Sequence, residues 1–286
     1  MASDAPVRVT DLFDEATLRL RAAGVVKPRR EANRLWAWLS RTSVGEAYLG
    51  RDQGAALEMA GAFRDAVARR AAGEPLAYVL GRTGFRNLEL VTDRRALIPR
   101  PETEALIDHA LGRVRTGRAI DLGTGTGCLA LALAAEGSFE LVVGVDVSAD
   151  ALSLAHENAR LNRLTVPFVR SDLGCGFRSD RFELVVTNPP YLTDAEYDAL
   201  DASVKSWEPR QALSSGPEGL DATRRIFDQG LSLLRPGGWI VMELDSSRGT
   251  VAAELARVAG WIEINVWDDL FGRPRYLTAR RSQGND

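Results

Sequence analysis

The chain has 286 residues, 45% hydrophobic and 26% charged, with a net charge of −3. That is ordinary globular composition with ample material for a core, and the length suggests two domains. The slightly acidic balance gives no global pull towards nucleic acid, and no apolar run reaches the roughly 18 residues of a membrane helix.

In chain order, the first segment reads as helices only. Thr10 is placed to cap a helix with Leu12, Phe13, Ala16 and Leu20 near helical spacing. Pro28 opens a second helix with Ala32, Leu35, Trp36 and Leu39 on one face. A third is predicted from about Gly54 to Ala72, ended by Gly73 with Pro75 beyond. Trp36 and Trp38 are read as core and surface packing. These helices predict a small bundle over residues 1–75.

Between Leu76 and Ile98 the pattern shortens. Tyr78-Val79-Leu80 and Leu88 to Val91 read as two strands around Gly81 and Gly84, a β-hairpin linker over residues 76–99. Pro101 suits a first helical turn, with Glu102 and Glu104 at its positive end.

Residues 100–286 then alternate strand and helix. Strands are expected at Ala119–Leu122, Leu141–Val145, Val166–Val169, Leu184–Thr187, Trp239–Leu244 and Ile262–Val266. Helices are expected at Cys128–Ala135, Ala149–Asn162, Asp221–Leu234 and Thr250–Ala259. The order implies an α/β domain with a parallel sheet covered on both faces.

Asp121-Leu122-Gly123-Thr124-Gly125-Thr126-Gly127 ends the first of these strands. Its glycines permit a tight turn and close approach to a ligand. The spacing G-x-G-x-G differs from the G-x-G-x-x-G of dinucleotide sites, and it suits an uncharged nucleoside carrying an amino-acid tail. Asp146 ends the next strand, where a carboxylate can accept from both ribose hydroxyls. NAD binders share that acid. Asp172, after the third strand, is placed to hold an adenine amino group.

Asn188-Pro189-Pro190-Tyr191 directly follows the fourth strand, at the end of the sheet where ligands bind. Two prolines stiffen the backbone and remove two N–H donors. The Asn188 side-chain oxygen and the Pro189 carbonyl are two convergent acceptors, suited to an NH2 group. Tyr191 offers a flat face for a planar amide or base. Beside a methyl donor these residues predict N-methylation, of adenine or of an amide.

Other chemistry is thinly represented. His109 and His156 lie far apart with no ligand-spaced partner, so no metal site is expected. Met1-Ala2-Ser3-Asp4 has no basic stretch before an apolar one, which predicts no secretory signal and a cytoplasmic location. Cys128 and Cys175 are not expected to pair there. Lysine occurs only at Lys27 and Lys205, and the many Arg residues are scattered rather than clustered.

The chain resembles the bacterial protein-(glutamine-N5) methyltransferases of peptide chain release factors, the PrmC/HemK-type family. The resemblance runs through Gly73-Glu74-Pro75-Leu76 and Leu97-Ile98-Pro99-Arg100-Pro101-Glu102-Thr103-Glu104. It continues through the glycine loop, Asn188 to Tyr191, Glu208-Pro209 and Gly272-Arg273-Pro274-Arg275. Asn-Pro-Pro-Tyr alone is shared with adenine-N6 DNA methyltransferases, whereas the proline-rich stretch is more specific to the glutamine family.

The resemblance implies a Rossmann-like class I methyltransferase domain that uses S-adenosylmethionine (SAM), behind a helical substrate-docking domain. It implies that Gly123, Thr124, Gly125, Thr126, Gly127 and Asp146 hold SAM, with Leu173, next to Asp172, near its adenine. Asn188 would touch both cofactor and substrate, and Pro189, Pro190 and Tyr191 would bind the glutamine of a release factor's Gly-Gly-Gln tip. A monomer that binds neither membrane nor nucleic acid directly is expected. There are departures: Gly84 and Arg86 flank Phe85 where an acid and an aromatic are common. Asp245 stands where Gly is common, and Trp207 precedes Glu208 where Tyr or Phe is usual.

The alternatives are adenine-N6 methylation, a specialised relative acting on another protein or a small amide, a non-catalytic SAM-binding module and an NAD oxidoreductase. Glycine spacing disfavours the last. Residues 1–75 carry 12 basic and 10 acidic side chains, too small a surplus for a nucleic-acid domain.

Overall fold

Helical spacing of apolar residues builds the front of the chain in a computed structural model that describes residues 7–283. Met1 to Asp4, the stretch read for a secretory signal, lie outside the described residues. Chain contacts separate two compact units, one running through Gly81 with Ala202–Trp207, the other formed by Arg82–Asp201 and the chain from Glu208.

In the first unit, α1 (Val9–Ala22) buries Val9, Leu12, Phe13, Ala16 and Leu20. Its cap is Arg8, not Thr10, and it makes no side-chain cap bond. None is needed, because the Val9 and Thr10 N–H groups donate to the carbonyls of Gln53 and Arg51. Pro28 opens α2 (Pro28–Ser40), as expected.

The expected third helix is α4 (Leu57–Ala71), and a short helix not expected from the sequence, α3 (Val44–Leu49), precedes it. Ser43 and Glu46 form a reciprocal capping box at α3, a four-residue signal legible in the sequence but passed over. Phe13, Trp36 and Phe63 meet edge to face with centroids 5.4–6.1 Å apart, while Trp38 is 41% exposed. The strand expected at Tyr78–Leu80 is instead a helical turn, α5 (Leu76–Leu80), closed by Gly81 at φ +72°. Tyr78 and Val79 donate to the Pro75 carbonyl, so a three-residue apolar run had no periodicity to reveal its helical state.

The second unit opens with the hairpin β1 (Arg82–Phe85) and β2 (Leu88–Val91); the second strand is where it was expected, and the first lies later in the chain than Tyr78–Leu80. A 3₁₀ turn at Pro101–Thr103 leads into α6 (Glu104–Leu111). There follow β3 (Thr116–Leu122), α7 (Cys128–Glu136), β4 (Ser138–Asp146), α8 (Ala149–Leu161) and β5 (Phe168–Arg170). Next come β6 (Phe182–Thr187), α9 (Asp194–Ala199) and α10 (Ala202–Lys205), the last belonging to the first unit. After these come α11 (Asp221–Leu233), β7 (Leu234–Glu243), α12 (Gly249–Ala259), β8 (Ile262–Asp268) and β9 (Pro274–Arg280).

The seven-stranded sheet has the order β5-β4-β3-β6-β7-β9-β8. It is mixed rather than wholly parallel, because β9 runs antiparallel to both β7 and β8. Alternation sorts the side chains onto two faces. Ala119, Leu184, Val186 and Val241 join α6 and α7 in one core, while Ile120, Val185, Ile240 and Met242 join α11 and α12 in the other. Among the described residues, no helix is long and apolar enough to cross a membrane, and no cluster of His, Cys, Asp or Glu could hold a metal ion. Cys128 is buried, Cys175 exposed, and both are free.

Candidate active site

The chain reverses direction across the sheet at β3: β4 and β5 lie on one side of it, β6 and β7 on the other. Ligands of open α/β sheets bind in the crevice beyond the carboxyl ends of the strands at such a switch point. Leu122 of β3 pairs with Thr187 of β6, so Gly123 and Asn188 leave the sheet side by side. The Thr187 hydroxyl donates to the Leu122 carbonyl at 2.7 Å and ties the two strand ends together.

A cavity of about 250 Å³ opens there. It brings together Gly123 to Thr126, Asp146, Asp172, Leu173, Asn188 and Pro190. Gly127, Pro189 and Tyr191 are not among its walls; Pro189 is buried behind them and Tyr191 is half-buried. Sequence reasoning missed Arg100, Thr103, Gln211 and Arg225, which also line it. His109 and His156 do not.

The glycine loop is held from within. Asp121 is fully buried, and its Oδ2 accepts from the Thr124 hydroxyl at 2.6 Å and the Ala130 N–H at 3.2 Å. Its Oδ1 is buried with no hydrogen-bond partner, and burial pushes the carboxyl up to about 7. Asp146 accepts from the Gly125 N–H through Oδ2 and from the Ser148 N–H through Oδ1, both at 2.9 Å. Asn158 of α8, fully buried, donates to the Thr126 carbonyl and clasps the Val91 backbone. Nothing in the sequence marked Asn158, since a mid-helix Asn carries no local signal.

Gly123, Gly125 and Gly127 all have positive φ, at +74°, +54° and +83°. A Cβ on Gly123 would meet nothing within 4 Å, so that backbone is open to a ligand. A Cβ on Gly127 would lie 3.1 Å from Ala155 Cβ and 3.2 Å from the Phe168 ring. Gly127→Ala is therefore expected to lose about 1–3 kcal/mol of stability, from strain and crowding together. A thermal melt at wild-type temperature would refute this.

Leu173 also has a positive φ, +52°, unusual for a branched side chain, and it stands in the cavity wall. Asp172 beside it is ion-paired with Arg225 at 2.6 Å, which engages one of its two oxygens. Cys128 lines the cavity, but burial pushes its thiol up to about 12 and keeps it protonated.

On the other side, Asn188 Nδ2 donates to the Thr103 hydroxyl at 3.1 Å. That hydroxyl donates to Glu243 Oε2 at 2.6 Å. Burial, then the charge of Glu243, holds the Tyr191 phenol above its ordinary range. Of the departures noted above, Arg86 pairs with Glu136 and Asp108 and fastens the hairpin to α6 and α7. Asp245 accepts from the Ser247 N–H and pairs with Arg248.

Open backbone at Gly123, the Asp146 carboxylate and a largely apolar wall suit a nucleoside bearing a charged amino-acid tail. The residues present thus fit SAM.

Residues 101–216 match the family model of the methyltransferase small domain, and residues 11–81 that of the PrmC N-terminal domain. The release factor glutamine methyltransferase of Deinococcus radiodurans is 41% identical over 97% of this chain and 100% of its own. That of Rhodospirillum rubrum is 36% identical over 94% of this chain and 84% of its own. Among solved structures, a methyltransferase from Pyrococcus furiosus matches with a TM-score of 0.51 at 17% identity, over 68% of this chain and 89% of that one. The fold is the Rossmann-like class I methyltransferase fold.

Proposed function

The chain belongs to the release factor glutamine methyltransferase family, and from that premise we propose that it methylates the side-chain amide nitrogen of a glutamine, in the Gly-Gly-Gln tip of a release factor. The observation that carries this reading is Asn188 at the cavity wall, at the carboxyl end of β6, beside the open glycine loop. The enzyme acts as a monomer, in the cytoplasm, without contacting nucleic acid. Its helical first unit docks another part of the release factor.

The site residues divide into a holding set and an acceptor set. Gly123 to Thr126 cradle the cofactor against bare backbone, Gly127 turns the loop into α7, and Asp146 lies on the ribose. Asp172, through the oxygen that Arg225 leaves available, and Leu173 border its adenine. Bound there, SAM supplies a methyl group activated by its sulfonium.

Asn188 Oδ1 and the Pro189 carbonyl accept from the two N–H groups of the glutamine amide. An amide nitrogen is a poor nucleophile because its lone pair is delocalised. Two acceptors draw electron density back to nitrogen and fix its direction, which preorganises the attack. Tyr191 and Pro190 confine the flat amide between them. The surplus proton passes to solvent after transfer, because the acceptor set consists of neutral oxygens and not bases.

Tritiated SAM is expected to label a release factor, with labelling abolished when its Gly-Gly-Gln glutamine is replaced. Labelling that survives the replacement would overturn the assignment, and labelling of bare DNA would redirect it to adenine.

A further inference from the structure

We infer that the Pro101–Thr103 turn sets which way round the Asn188 amide sits, with Glu243 as the positioning residue that enforces it. This rests on the reading that Asn188 Oδ1 accepts from the substrate amide. The proline-rich stretch before α6 otherwise has no assigned task in the site.

The sheet register brings the groups together. Thr187 of β6 pairs with Met242 of β7, so Asn188 and Glu243 are the next residues along the two strands. Thr103 stands between them, 2.6 Å from Glu243 Oε2 and 3.1 Å from Asn188 Nδ2. Thr103 is 2% exposed and Glu243 1%, which leaves little room for solvent to substitute as a partner.

The turn itself is anchored on several sides. Pro101 opens it, and the Thr103 N–H donates to the Arg100 carbonyl at 3.1 Å. Arg100 is paired with buried Glu208 at 2.7 Å. The Glu102 carbonyl accepts from the Tyr276 hydroxyl at 2.7 Å.

A hydroxyl has one proton. Ionised Glu243 can only accept, so Thr103 gives its proton to Glu243 and has only lone pairs left for Asn188. Asn188 must then turn Nδ2 inward, which leaves Oδ1 for the substrate. The flipped amide would set oxygen against oxygen at Thr103 and NH2 against NH2 at the glutamine. Both contacts would fail, so the buried carboxylate selects the acceptor orientation of a residue it does not touch.

The groups facing Glu243 are Arg100 and Glu102 from the turn, Arg275 and Tyr276 from β9, Tyr191 from the loop after β6, and the protonated Cys128 thiol at the start of α7. Burial pushes the Glu243 carboxyl up to about 7; the Thr103 bond and the two arginines oppose this, and Glu102 reinforces it. When protonated, Glu243 can donate to Thr103, whose own proton is then released towards Asn188, and the selection is lost. Turnover should therefore be highest above about 7 and fall as the pH drops through it.

The test is a set of variants assayed on a release factor, with SAM affinity measured by calorimetry. Glu243→Gln, whose NH2 can donate to Thr103, should lower kcat on the order of 10²-fold and remove the pH step. SAM affinity should stay within about threefold, which also shows that the variant is folded. Thr103→Ser should keep most of the activity, and Thr103→Val should fall as Glu243→Gln does.

The decisive variant is Asn188→Asp, which has no NH2 for Thr103 and should be poorly active. Adding Glu243→Gln restores a donor chain. The introduced amide donates to the Thr103 hydroxyl, and that hydroxyl donates in turn to the introduced carboxylate. The double variant should raise kcat about tenfold over Asn188→Asp alone. A further loss in the double variant would overturn the inference, since a merely structural Glu243 can only compound the damage. Normal wild-type activity on the Gly-Gly-Gln glutamine without rescue would overturn the orienting role and keep the substrate. Rescue measured on some other acceptor, with that glutamine untouched, would keep the orienting role and overturn the substrate.

Discussion

Replacing Asn188 by Ala is expected to lower kcat for release-factor methylation on the order of 10³-fold, with SAM affinity changed by less than about tenfold. Removing one preorganised partner of the reacting group typically costs 10²–10³ in rate, about 3–4 kcal/mol. Asn188 has a second task, because its Nδ2 satisfies the buried Thr103 hydroxyl. Alanine leaves that oxygen short of a donor, which adds about 1–3 kcal/mol of lost stability. Mass spectrometry of a co-expressed release factor should show a gain of one methyl with wild type only. Single-turnover rates and SAM titrations separate chemistry from binding. Equal methylation by both enzymes would remove Asn188 from the reaction.

The second large effect is expected at Asp146. Asp146→Ala should raise the SAM dissociation constant on the order of 10²-fold, since hydrogen bonds to a charged group are worth about 1.5–3 kcal/mol each. The loss has two sources. The ribose loses its acceptors, and the Gly125 and Ser148 N–H groups lose the carboxylate that holds them. Asp146→Asn keeps one oxygen and should fall between the two. At saturating SAM, kcat should recover to near wild type, because Asp146 does not touch the methyl acceptor. A kcat loss that persists at saturation would mean that the loop positions the reacting groups as well as the nucleoside.

Much of the architecture was legible because its signals are local. Gly123 to Gly127, Asp146 and Asn188 are each next to a strand end, and strand ends show up where short continuous apolar runs stop. Their convergence on one cavity follows from the parallel register of β3 with β4 and β6. What stayed hidden depends on distant pairings. Thr103 and Glu243 are 140 residues apart and meet only through the sheet register. Asn158 reaches back 67 residues to Val91. The misread helical turn at Leu76–Leu80 and the passed-over capping box at Ser43 are different failures. The first run is too short to show a period, and the second signal was available and unused.

The position of β9 also bears on how the molecule is assembled. β9 follows β8 in the chain, yet it lies between β7 and β8 in the sheet. Until it is synthesised, the β7 edge that later pairs with Tyr276 to Arg280 presents unsatisfied N–H and C=O groups, and β8 has no strand to join. The nascent protein thus carries an open, apolar sheet edge from the completion of β7 until β9 emerges, an invitation to aggregation that closes only with β9. Glu243 faces Tyr276 across that seam, so the acceptor side of the site is completed by the same late event.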